Sequence, residues 1–125
     1  MAAAPADYRP VRTAATKRPR GRGRLTLALA PTTDILTSLK RPAGCLMVGF
    51  ALETGHGLER ARAKLKQKRL DYVVLNDAQE PGAGFDVTTN KVTLLSRSGA
   101  QLALPLLEKR DVAQRILDAV EQDLT

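Results

Sequence analysis

Two apolar runs with a helical pattern between them are the clearest feature of the chain. Residues 45–50 (Cys45, Leu46, Met47, Val48, Gly49, Phe50) read as a buried strand, and residues 72–75 (Tyr72, Val73, Val74, Leu75) as a second one ending at Asn76-Asp77. Glu53, Thr54, Gly55, His56 and Gly57 form a turn between them, and a basic helix follows to about Arg69. A crossover of this length returns the chain in the same direction, so the two strands are expected to be parallel, as one βαβ unit. Ligands of open parallel sheets collect beyond the carboxyl ends of the strands, which makes residues 50–57 and 76–84 the expected binding loops.

On the helix, Leu58, Ala61 and Leu65 share a face that is expected to meet the sheet, while Arg60, Lys64 and Lys68 form an i, i+4, i+8 row beside it. Like charges so spaced cost about a few tenths of a kcal/mol per neighbouring pair unless an anion lies over them. Upstream, Leu25-Thr26-Leu27-Ala28-Leu29 alternates with period two and predicts a half-buried strand stopped by Pro31. Thr32, Thr33 and Asp34 offer N-cap oxygens to a short helix carrying Ile35, Leu36 and Leu39, which Arg41-Pro42-Ala43-Gly44 ends. Downstream, Pro81, Gly82 and Gly84 mark residues 78–89 as loop. Residues 91–95 and 101–104 flank Arg97-Ser98-Gly99-Ala100 as a β-hairpin. A last helix begins near Lys109, with Val112, Ile116, Leu117, Val120 and Leu124 as its apolar stripe and Asp111 and Glu108 at its positive end. The sum is an α/β fold: a three-layer, Rossmann-like, partly parallel sheet with helices on its faces, then a carboxyl-terminal hairpin and helix.

A length of 125 residues allows one small domain over 1–125, and 43% hydrophobic residues suffice for a core. Only 3% are aromatic and there is no Trp, so stacking platforms for bases are scarce and single-stranded nucleic acid is disfavoured as a partner. The formal charge of +7 is concentrated in residues 1–24, which hold seven Lys/Arg and one Asp. Within that stretch, Lys17 opens a basic tract over 17–24 whose Pro19, Gly21 and Gly23 predict a mobile loop. A single Cys excludes an internal disulfide, and Cys45 reads as a small core side chain. One Cys and one His supply no zinc ligand set. No apolar run approaches the ~18 residues of a membrane span, and no secretory pattern follows Met1, so a cytoplasmic protein is expected.

The candidate chemical groups are Lys17, Lys64 and Lys68, with Asp7, Asp34, Glu53, Asn76 and Asp77 around them. No Ser/His/Asp or Cys/His set exists, no paired carboxylates stand at a catalytic spacing, and His56 between glycines reads as a solvated turn residue. The basic row on the helix is either a solvated face or an anion site. Cations around a crevice suit a polyphosphate, because Lys and Arg can neutralise it and stabilise a departing pyrophosphate without reacting. Composition and pattern reach an anion-binding α/β domain and stop there.

Several motifs occur in a recognisable order: Asp7-Tyr8-Arg9-Pro10, Lys17 opening the basic tract, Asp34-Ile35, Val48-Gly49-Phe50-Ala51-Leu52-Glu53-Thr54, Lys64 and Lys68, Asn76-Asp77, and Gly84-Phe85. In this order they resemble the phosphopantothenate-cysteine ligases, the carboxyl-terminal part of the bifunctional DNA/pantothenate metabolism flavoproteins. The resemblance implies a ligase of coenzyme A biosynthesis. CTP, with Mg²⁺ on its triphosphate, would activate 4'-phosphopantothenate as an acyl-cytidylate, and the amine of cysteine would displace CMP. By position, Asp7, Lys17, Asp34, Ile35, Leu36, Thr37, Phe50, Lys64 and Lys68 would contact the nucleotide. Lys17 would also serve catalysis in the amide-forming step, and Ala2 and Ala3 would border the acyl substrate; no protein metal ligand is implied. The sequence departs from the family after Lys17, where Arg18-Pro19-Arg20 follows and a Lys-Ile-Lys-Lys tract is usual, at Thr33 in place of Pro, and at Leu52 in place of a small residue. It also lacks the family's upstream strands, glycine loop and asparagine, so the domain is expected to be partial and to need a chain supplying the missing half or a longer reading frame for activity; a homodimer is the other partner considered. A non-catalytic nucleotide-binding remnant and a nucleic-acid-binding basic arm are the alternative readings. No membrane partner is expected.

Overall fold

Residues 5–77, 79–83 and 87–122 are described in the computed structural model, in which the chain divides into two units, residues 1–40 and 41–125. In the first unit β1 (Tyr8–Pro10) pairs antiparallel with β2 (Leu29–Pro31), Arg9 lying opposite Ala30. Thr32 N donates to Asp7 O at 2.8 Å and Val11 N to Ala28 O at 3.0 Å, which extends the ladder past both prolines. The strand expected over 25–29 is therefore displaced: only Leu29 of that run lies in β2, and Leu25 and Leu27 are exposed. Alternation makes a strand where one face is covered, and no described residue of this unit is buried. After β2, Asp34 caps α1 (Ile35–Ser38), its carboxylate accepting from Leu36 N and Thr37 N as its position ahead of the helix predicts.

The second unit contains the sheet. β3 (Val48–Glu53) leads through α2 (Gly57–Gln67) to β4 (Tyr72–Asp77), followed by β5 (Thr89–Asn90), β6 (Val92–Ser96), β7 (Gln101–Ala103), β8 (Leu107–Glu108) and α3 (Lys109–Gln122). The four-stranded sheet runs β3-β4-β6-β7; β3 and β4 are parallel, with Phe50 opposite Val74, and the other two pairings are antiparallel. The βαβ unit and the hairpin both form as their patterns predict. β5 and β8 make a separate two-stranded pair.

Strand parity distributes the layers. Ala51, Val73, Leu75 and Leu95 are buried on the face that also receives Ala61 and Leu65 of α2. Gly49 belongs to this face, and a side chain there would meet Leu70, whose Cδ1 lies 2.5 Å from the place of a Cβ. On the other face Tyr72, Val74, Val92, Leu94 and Leu104 pack with Val112 and Ile116 of α3. Tyr72 Oη donates to Ala119 O at 3.3 Å, tying that helix to the sheet.

Several expected burials fail, that of Phe50 on the edge strand β3 among them. Cys45 is exposed, because β3 begins three residues later than the apolar run. Leu58 is exposed at the first turn of α2, and Leu117 is exposed on α3 although Ile116 beside it is buried. A stripe drawn on a helical wheel is wider than the strip of sheet available to cover it.

The late start of β3 has a polar cause. Asp71, nearly buried at the foot of β4, accepts from Met47 N at 2.8 Å, from Arg97 Nη2 at 2.9 Å and from Arg41 Nη2. Asp71 N and Tyr72 N both return to Met47 O, at 2.9 and 3.2 Å, so Met47 is pinned beside Asp71 and the ladder opens at Val48. Above it α2 ends in a Schellman turn: Leu70 N bonds Leu65 O at 2.9 Å and Arg69 N bonds Lys66 O at 3.2 Å, with Arg69 at φ 51. Arg41 Nη1 and Arg97 Nη2 donate to the carbonyl of Arg69, at 3.3 and 3.2 Å, holding this left-handed residue in place. Asp71→Ala is expected to destabilise the protein by about 2–3 kcal/mol, since it removes the acceptor of a backbone N–H and the counter-charge of two guanidinium groups together. Urea unfolding at neutral pH measures it, and a loss within about 0.5 kcal/mol, as for an ordinary surface change, would contradict this role.

Candidate functional site

At the carboxyl ends of β3 and β4 the chain turns through Gly55, at φ 59, into α2. That φ suits a residue without a Cβ. A cavity of about 560 Å³ opens there, lined among others by Glu53, His56, Asp77, Glu80 and Lys91. It lies where parallel-sheet geometry predicts a crevice, but its rim is acidic. Lys91 Nζ is already committed to Glu80 at 2.8 Å, and none of Arg60, Lys64 or Lys68 lines the cavity. His56 is an exposed turn residue, as expected, and makes no side-chain cap to α2.

The basic row of α2 is instead organised by Glu53. This last residue of β3 shares the parity of Gly49 and Ala51, so its side chain lies on the α2 face, where it is only 8% exposed. Lys64 Nζ donates to Glu53 Oε1 at 2.5 Å, and Arg60 Nη1 lies 3.5 Å from Oε2, so one carboxylate bridges two successive turns of the helix. The anion that the row requires comes from within the chain. The Lys64 hydrogen bond, and then the nearby positive charge, hold the Glu53 carboxyl below the usual glutamate range despite the opposing effect of burial. Lys68 follows one turn later, half-buried at the C-cap of α2.

The expected site residues divide between the two units. In the first, the backbone of Asp7 bonds Thr32, close in sequence to the capped turn of Asp34, Ile35, Leu36 and Thr37, while Lys17 lies in an exposed, irregular segment. In the second, Lys64 and Lys68 share α2, and Phe50 projects from β3 on the opposite face, 71% exposed beside a groove formed with α3. Ala2, Ala3 and the Gly84-Phe85 pair lie outside the described residues. Glu53 is the partner that the sequence reading leaves in a turn. The signal available was parity: a Glu two positions after Ala51, in a strand whose inward positions are otherwise small, must point at the helix that follows.

This pairing links Glu53 to pH with a definite sign. A carboxyl with a lowered folded-state pKa adds stability above its unfolded value of about 4.3 and loses it as pH falls through the folded value. Glu53→Gln should therefore reduce the urea midpoint at pH 7, and the gap from wild type should narrow as pH falls below the unfolded value of about 4.3 and through the lowered folded one. A gap independent of pH between 7 and 3 would show that the charge of Glu53 contributes nothing.

Comparison with known proteins agrees with this architecture. A family model described as the DNA/pantothenate metabolism flavoprotein C-terminal domain matches residues 1–124. The coenzyme A biosynthesis bifunctional protein CoaBC of Bacillus subtilis is 40% identical over 94% of this chain and 29% of its own length. A cysteine/cysteine sulfinic acid decarboxylase of an unknown prokaryotic organism is 41% identical over 94% of this chain and 33% of its own length. Among solved structures, the C-terminal domain of a CoaBC protein superposes with a TM-score of 0.69 at 34% identity, covering 98% of this chain and 52% of that one. A Cab2 mutant solved in complex with phosphopantothenate-cysteine shares the fold, with a TM-score of 0.55 at 20% identity over 86% of this chain and 37% of that one. The chain thus spans about a third of the curated relatives and about half of the solved CoaBC domain. With a match from end to end and the mixed sheet in common, the chain belongs to the DNA/pantothenate metabolism flavoprotein C-terminal domain family.

Proposed function

We propose that this chain is the nucleotide-handling portion of a phosphopantothenate-cysteine ligase acting in coenzyme A biosynthesis, in a cytoplasmic setting. The observation that carries the reading is the family match over residues 1–124. The half-buried lysines of α2 support it, since an ammonium fixed on a helix can meet a phosphate without first losing side-chain freedom.

In this reading the carboxylate of 4'-phosphopantothenate attacks the α-phosphorus of CTP, pyrophosphate leaves, and the amine of cysteine then displaces CMP from the acyl-cytidylate to form the amide. Lys64 and Lys68 neutralise the triphosphate. Asp7, Asp34, Ile35, Leu36, Thr37 and Phe50 hold the nucleoside. β3 is the edge strand, so the Lys64 that Glu53 holds borders the same edge from which Phe50 projects on the other face. Lys17, on the basic arm, stabilises the negative charge that develops as the amide forms, and Ala2 and Ala3 lie against the acyl substrate. Mg²⁺ would arrive on the triphosphate, ligated by phosphate oxygens and water. A second copy, or a chain carrying the other half of the ligase domain, completes the pocket.

The test is pyrophosphate release from CTP, 4'-phosphopantothenate and Mg²⁺, with the chain alone and with the other half of the domain supplied. Turnover is expected in the supplemented mixture, and none there would reject the ligase assignment. In that mixture Lys17→Ala should lower amide formation by about 10²-fold, the size of one lost transition-state donor, while pyrophosphate release in the absence of cysteine falls much less. Equal losses in both steps would remove Lys17 from the second step. A non-catalytic nucleotide-binding role is the second reading; calorimetric binding of CTP without turnover in the supplemented mixture would select it.

A further inference from the structure

We infer that Glu53 is a positioning residue for the nucleotide site: by holding Lys64 at the edge of the sheet it presents that ammonium to the phosphates. The inference rests on the reading that Lys64 contacts the triphosphate. It adds a residue that touches no substrate.

The geometry argues for this division of labour. An ammonium carries three hydrogens, and Glu53 Oε1 takes one of them at 2.5 Å. The Lys64 side chain remains 42% exposed, so two hydrogens stay available to a ligand oxygen. Arg60 occupies the second carboxylate oxygen and keeps it from drawing on Lys64 twice. Glu53 also lies on the strand rather than on the helix. Its position is set by the parallel pairing of β3 with β4, Glu53 opposite Asp77, and its Cβ sits against the first turn of α2 at Gly57. A lysine on an isolated helix would sample many rotamers and be pushed away from Arg60 and Lys68 by like charge. Anchored to a strand, it is confined before any nucleotide arrives. Confinement in advance removes an ordering cost from binding, which is how a residue that never meets the ligand raises affinity for it.

With the other half of the domain supplied, the full chain is measured as wild type, Glu53→Gln, Lys64→Ala and the double variant. CTP with Mg²⁺ is titrated by calorimetry, and order at the Lys64 ε-carbon is read by NMR relaxation without nucleotide. Each single change is expected to weaken CTP binding by about fivefold, and the double variant by no more than Lys64→Ala alone, because contacting residues that act as one unit are non-additive. The Lys64 ε-carbon should be ordered in wild type and mobile in Glu53→Gln. Two results overturn the inference while leaving the nucleotide reading intact: Glu53→Gln weakening binding as much in the Lys64→Ala background as in wild type, or leaving affinity unchanged while Lys64→Ala reduces it. If neither wild type nor any variant binds CTP, or Lys64→Ala has no effect, the nucleotide reading of Lys64 fails and takes the inference with it, whatever the relaxation data show. Should Glu53→Gln not fold, Glu53→Asp replaces it: the shorter side chain keeps the charge but withdraws it from Lys64, with the same expectations.

Discussion

A carboxylate shut between a strand end and a helix must find cations, and in this chain it finds them on the helix. Glu53 meets Lys64 and Arg60 across the β3–α2 turn. The rest of the βαβ unit follows from keeping that contact. Parallel pairing sets the height of Glu53, Gly55 lets the chain reverse, and Ala61 and Leu65 hold the helix flat on the strands. A second carboxylate closes the opposite end. Asp71 gathers Met47, Arg41 and Arg97 where the two strands begin. The pair of clamps differs in consequence. Asp71 is enclosed by groups committed to it and to neighbouring backbone carbonyls, whereas the lysine held by Glu53 remains half exposed beside the edge of the sheet.

This asymmetry accords with the general behaviour of parallel sheets, in which the amino ends of the strands serve stability and the carboxyl ends carry ligands. It also separates two kinds of positive charge. The arginines at the foot are structural, and their guanidinium forks cap the carbonyl of Arg69 as well as the Asp71 carboxylate. The lysines of α2 are point charges on a helix, suited to oxygen ligands of varied geometry. The acidic cavity nearby, rimmed by Glu53, Asp77 and Glu80, is a poor receptacle for phosphate, so the polyphosphate tail in the proposed function lies along the helix and sheet edge and not inside that cavity.

Much of the fold is legible in the residues because it depends on local pattern. The two apolar runs, the helix between them, the hairpin around Ser98-Gly99 and the Asp34 cap each carry their own instruction in a few consecutive positions. What is not legible depends on partners distant in sequence. Cys45 has every mark of a strand residue, yet the ladder opens at Val48 because Asp71, far along the chain, captures Met47. Leu25 and Leu27 alternate correctly and remain exposed, since no layer of their unit covers them. Leu117 lies on the apolar side of α3 but beyond the strip that packs on the sheet, next to Phe50. For the site, the i, i+4, i+8 row is visible in sequence as a puzzle of unmatched charge, and its answer is a glutamate eleven positions before Lys64 that only strand parity directs toward it.

In the proposed function the lysine that Glu53 holds on α2, with Lys68 one turn further on, meets the phosphates of a nucleoside triphosphate. Backbone hydrogen exchange followed by mass spectrometry, with and without CTP and Mg²⁺, tests this most directly. Slowed exchange across residues 60–69 on nucleotide addition is the predicted result. Unchanged exchange across residues 60–69 while the nucleotide is bound would contradict it.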